Sequence, residues 1–121
     1  MKKYKHFLNG RYVTEDKLLI SPRDLGFSRS FAVFTVLKTY NSVPFKLKEH
    51  LLKLLESAEF IGLKHGYNLN KLVEIVKKTI KINKDGKEKS IKIILSGGVS
   101  NFMYQPIEQD DSNCYCGFVK V

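Results

Sequence analysis

The amino-acid sequence predicts an α+β domain: an antiparallel β-sheet with two helices packed on one of its faces, a two-layer sandwich. Three observations predict it. Strand-type segments open and close the chain, two amphipathic helical stripes lie between them, and the links carry turn signals of the hairpin kind. The 121 residues give room for one domain, residues 1–121, around one core. No internal repeat, low-complexity tract or linker interrupts the chain.

The elements follow in order. "KYKHFLNGRYV" alternates imperfectly and contains Asn9-Gly10, so it reads as strand, two-residue turn, strand. "KLLI", residues 17–20, reads as a short third strand. "SPRDLGFSRS", residues 21–30, carries Pro22, Asp24, Gly26 and three serines and reads as a polar loop. "FAVFTVLKTY", residues 31–40, is rich in β-branched and aromatic residues. Its near-continuous apolar character predicts a central strand covered on both faces. Asn41-Ser42 turns the chain, and "VPF" returns as a short strand.

A helix is predicted over residues 46–61, because Leu47, Leu51, Leu54, Leu55, Ala58 and Ile61 form one stripe at three- and four-residue spacing. Lys48, Glu49, Lys53 and Glu56 fall off that stripe, and Gly62 is the expected stop. A second helix, residues 69–80, has Asn68 as its N-cap and Leu72, Val73, Val76 and Ile80 on its buried side. "NKDGKEK" is a charged turn. "SIKIILSGG", residues 90–98, is a strand ending in a glycine pair, and "CYCGFVKV" is a last strand. The apolar final residues imply that something follows them, or that a partner covers this edge.

Composition narrows the function classes. A hydrophobic fraction of 43% excludes wholesale disorder. No apolar run approaches the roughly 18 to 20 residues of a membrane span. "MKKYKHFLNG" has early lysines but no apolar segment behind them, so no secretory signal is read there, and a cytoplasmic protein is expected. Cys114 and Cys116 are one residue apart, too close for an unstrained disulfide and too few for a closed zinc site. They read as small apolar residues in a reducing compartment. The net charge of +9 raises nucleic-acid binding as a reading. Yet the charge is nearly all lysine, and the only arginines are Arg11, Arg23 and Arg29. A solvated basic surface without nucleic acid is the expectation. His6, His50 and His65 are scattered, so no metal is expected, and no P-loop or dinucleotide fingerprint occurs. Gly97-Gly98-Val99-Ser100 after a strand reads either as a bend or as backbone N–H groups offered to an anion.

One ordered set of motifs goes further. "NGRYV" (residues 9–13), "DLGF" (24–27), "VFTVLKTYNSVPF" (33–45) and "EHLLKLLESA" (49–58) together resemble the class IV, fold type IV, pyridoxal-phosphate aminotransferases. That group includes branched-chain and D-amino-acid aminotransferases and aminodeoxychorismate lyases. The resemblance spans about residues 9–100, and its specificity lies in the order and spacing. It implies the small N-terminal domain only. In the family a larger second domain follows and supplies the lysine that forms the Schiff base. None of the lysines here matches that position, so this chain alone is expected to hold no catalytic residue, to bind no pyridoxal phosphate and not to transaminate.

The resemblance also implies site residues. Lys53 stands where the family carries an arginine that grips the cofactor phosphate, and a lysine there pairs as a point charge without the bidentate fork. On helix patterning alone it is equally a solvated lysine. "SFAVFT" replaces the family's "GDGVFE": Phe34 keeps the substrate-side aromatic, Thr35 replaces the usual acid, and Phe31 and Ala32 replace a polar residue and a glycine. Phe34 also reads as core. Arg29 either attracts a substrate carboxylate or faces solvent, and Gly97 and Gly98 fall in the family's glycine turn near the substrate. The implied partners are an amino acid or 2-oxo acid and a second copy in a dimer. A rival reading is a non-catalytic binding or scaffold domain that pairs through its apolar edge.

Overall fold

The computed structural model describes residues 4–100, and 113–119 as a backbone strand. Strands β1 (Lys5–Leu8) and β2 (Arg11–Thr14) form the expected hairpin. Asn9 at φ 48° and Gly10 at φ 96° supply the two left-handed residues that the tight turn requires. After a 3-10 turn (Glu15–Lys17) and a short helix α1 (Leu25–Arg29) come β3 (Ala32–Tyr40), β4 (Val43–Pro44), α2 (Leu47–Phe60), α3 (Leu69–Ile82), β5 (Ser90–Ser96) and β6 (Asn113–Val119). All six strands join one antiparallel sheet in the order β2-β1-β6-β5-β3-β4.

α2 and α3 pack against each other and against one face of the sheet, α2 over β3 and α3 over β1 and β6. Leu51, Leu54 and Ala58 of α2 meet Leu72, Val76 and Ile80 of α3 and Phe7, Leu37, Ile91, Ile93 and Leu95 of the sheet. Each of these larger side chains contributes roughly 1.5–3 kcal/mol on full burial. The helix ends follow local rules. Asn68 caps α3 by accepting the Lys71 N–H at 2.9 Å. α2 stops at Gly62, φ 72°, where the Gly62 N–H bonds the Glu59 carbonyl and the Leu63 N–H bonds the Ala58 carbonyl.

Four expectations need correction. Residues 17–20 are not a strand: the chain there leaves the sheet through the 3-10 turn, and Leu19 is exposed. The polar loop contains α1, because Asp24 caps it by accepting the Gly26 N–H. β3 is not covered on both faces: Phe34 is 64% and Val36 is 41% exposed, since α2 and α3 lie on the other side. Finally, β6 is not an edge. It pairs β5 over its whole length and β1 at Tyr115 and Cys116, so the strand lies between the two, with Gly117, Phe118 and Val119 paired to β5. Residues 120 and 121 lie outside the described residues. Among the described residues, no helix is long and apolar enough to cross a membrane.

Candidate functional site

α1 ties the end of β5 to the start of β3. Asp24 is 1% exposed, and its carboxylate accepts the Gly26 N–H at 2.8 Å and the Ser96 hydroxyl. The Leu25 N–H bonds the Gly98 carbonyl at 2.8 Å, and the Gly97 N–H bonds the Phe31 carbonyl at 3.0 Å. A methyl group on Gly26 would lie 2.6 Å from the Ser96 hydroxyl oxygen, and one on Gly97 would strike the Phe31 ring. The physical content of "DLGF" is therefore a buried cap, a buried Leu25 and a glycine with no room for a side chain. Phe27, the last residue of the motif, is exposed.

Beside this junction the helix-free face of the sheet holds a shallow cavity of about 230 Å³. Ile20, Phe27, Ala32 and Ile94 give it apolar walls, and Asp24 and Ser96 are its polar groups. On the same sheet face the Lys92 ammonium sits 4.7 Å above the Phe34 ring, a cation–π pair at a partly exposed site. Lys92 and Ser96 were not among the residues the sequence singled out, and Asp24 was named there only within the loop and the "DLGF" motif. The signal for Lys92 and Ser96 was the alternation of "SIKIILS", which turns Lys92, Ile94 and Ser96 away from the helices once Ile91, Ile93 and Leu95 are in the core.

The residues that the sequence did single out divide between two layers. Phe34 stands on the helix-free face, with Arg29 half-buried in the last turn of α1 at the same end of the sheet as Gly97 and Gly98. Thr35 points the other way, as alternation requires, and its hydroxyl is 3.1 Å from Nδ1 of His50 on α2. Lys53 lies three residues beyond His50 on the adjoining strip of α2, exposed and without an ion pair among the described residues. The N–H groups of Gly97 and Gly98 are taken up internally, by the Phe31 carbonyl and by the Ser96 hydroxyl at 3.3 Å. This glycine pair is a packed bend, and offers neither N–H to an anion. Among the described residues, no group of three or more His, Cys, Asp or Glu could hold a metal.

Comparison with known proteins gives the family and the fold. The family model "Amino-transferase class IV" matches residues 32–118. The chain belongs to that family. It is 34% identical over 79 residues to D-alanine aminotransferase of Staphylococcus epidermidis, a match covering 65% of this chain and 28% of that protein. It is 27% identical over 118 residues to aminodeoxychorismate lyase of Bacillus subtilis, covering 94% of this chain and 40% of the relative. Among solved structures, branched-chain amino acid aminotransferase from Escherichia coli superposes with a TM-score of 0.85 at 18% identity, over 99% of this chain and 42% of that one. That likeness shows the fold. The chain spans about 28–42% of the length of these relatives.

Proposed function

We propose that this chain is the small-domain wall of the active site of a pyridoxal-phosphate-dependent amino-acid aminotransferase. One observation carries the reading. α1, the start of β3 and the end of β5 are bonded into one corner, and beside it the helix-free face presents Phe34, Lys92 and an apolar cavity. A site facing that corner takes an amino acid or 2-oxo acid: an apolar side chain enters the cavity, and Lys92 and Arg29 attract the carboxylate.

For the cofactor phosphate the family motif offers Lys53 alone, which stands on α2 in the helical layer and not beside the corner. Lys53 is an exposed ammonium with no ion pair among the described residues, and it would hold the phosphate as a point charge. His50, hydrogen-bonded to Thr35, braces the same helix against β3. Bound pyridoxal phosphate supplies an electron sink for the substrate α-carbon. The lysine that carries it comes, in this reading, from residues outside this chain, and two copies assemble as a dimer. The rival scaffold reading would use the apolar stretch Gly117, Phe118 and Val119, beyond the point where β1 bonds β6 at Tyr115 and Cys116.

The test uses the complete product of the gene. Amino-group transfer to a 2-oxo acid and the visible absorption of lysine-bound cofactor are the expected results. Lys53→Ala is expected to weaken cofactor binding by about 10-fold, the loss of one charge-assisted contact, while Lys53→Arg restores it. A complete product with no such absorption and no transfer would rule the reading out.

A further inference from the structure

A second concavity lies on the opposite side of the sheet, between the β1–β2 hairpin and α3. It is an open groove of about 540 Å³. Phe7, Tyr12 and Tyr67 give it aromatic walls, and Lys71, Glu74 and Lys78 line it from α3. The walls are braced. The Tyr12 hydroxyl lies 3.0 Å from that of Thr79 and donates to the Ile75 carbonyl at 3.3 Å, and Phe7 meets the Tyr12 ring edge-on at 5.5 Å. Tyr67 is stacked on His65.

The charges are arranged on these rings. The Lys78 ammonium sits 5.5 Å from the Tyr12 ring centre and the Lys71 ammonium 5.6 Å from that of Tyr67. Lys71, Glu74 and Lys78 share one strip of α3 at three- and four-residue spacing, which puts the two lysines roughly 10 Å apart along the axis. Neither lysine is ion-paired among the described residues. Two cations against one carboxylate leave the groove with an unbalanced positive charge over aromatic walls.

We propose that this groove binds a small planar aromatic acid, its ring against Tyr12 and Tyr67 and its carboxylate drawn by Lys71 and Lys78. The two lysines now cover these rings, so a ligand ring stacks only as their flexible stems swing aside, which carries the ammoniums from the ring faces to the ligand carboxylate. Glu74 opposes the ligand charge and limits affinity. The proposal does not depend on the aminotransferase reading, because it uses the helical side of the sheet and none of the residues of the first site.

Heteronuclear NMR titration of the full expressed protein tests it, with naphthoate as the probe and the neutral naphthylmethanol as its control. Naphthoate is expected to move the signals of Tyr12, Tyr67, Lys71 and Lys78 saturably. Its dissociation constant should be on the order of a millimolar, as suits a ligand of about a dozen heavy atoms on an open surface. The alcohol should bind at least about fivefold more weakly, and so should naphthoate to the double variant Lys71→Gln/Lys78→Gln. Glu74→Gln should tighten naphthoate at least about twofold, a gain that misfolding cannot imitate. Unmoved groove signals, equal binding of acid and alcohol, or no gain in Glu74→Gln would each overturn the proposal. None of those results bears on transamination.

Discussion

Gly97 has no room for a methyl group. Its Cβ would collide with the Phe31 ring and press Leu25, both of which hold α1 in place. Gly97→Ala should destabilise by roughly 1–3 kcal/mol through forced overpacking. Gly66→Ala, where a Cβ meets nothing within 4 Å, should stay within about 0.5 kcal/mol of the parent. Urea unfolding of the two variants decides it, and equal midpoints would show that the bend relaxes freely. The glycine pair was visible in the sequence, but its meaning was not. A "GG" after a strand looks the same whether its N–H groups face an anion or a neighbouring carbonyl. Thr35 and Phe34 are a similar case: adjacent in sequence and in one motif, they point into different layers because a strand alternates.

At the scale of elements, local chemistry was largely legible. α2 and α3 appear within two residues of their expected bounds, since a stripe at helical spacing needs only its own sequence to be recognised. Asn68 is the cap that the sequence named. Asn68→Ala should cost roughly 1 kcal/mol, read as a lower thermal midpoint, with Asn68→Ser recovering most of it. α1 was hidden. Its five residues are too few for a stripe, and its cap Asp24 is fixed by Ser96, 72 positions away. The β3–β4 turn shows the same long-range dependence. Asn41 and Ser42 adopt positive φ, and the Glu88 carboxylate accepts their N–H groups and the Thr39 hydroxyl.

Across the whole molecule, several ionisable groups favour their deprotonated forms. Asp85, bonded to the Lys89 ammonium and the Lys87 N–H and Tyr4 hydroxyl, is held well below the ordinary carboxylate range. Backbone N–H groups of Ser42 and Asn41 hold Glu88 down as well. Burial lowers His6, against an opposing pull from Glu15. A lowered folded-state value means stability that is complete above the unfolded value and is lost as pH falls. The thermal midpoint should therefore decline from about pH 6.5, where His6 of the unfolded chain takes up a proton that the folded one resists, and more steeply below about pH 4.5, where unfolded carboxylates take up protons. Asp85→Asn should flatten the acid limb of that curve, and a midpoint that rises on acidification would contradict the assignment. The sequence by itself determined the α+β class, the two packed helices, the hairpin turns and the family, because spacing, caps and ordered motifs are local properties of the chain. Only the tertiary structure decided that β6 lies between β1 and β5, that β3 leaves one face bare, and that Lys92 covers Phe34 and Ser96 bonds Asp24 while Lys53 stands on the other layer. Strand pairing joins residues far apart in sequence, and the hydrophobic pattern of one strand does not specify which other strand it will bond.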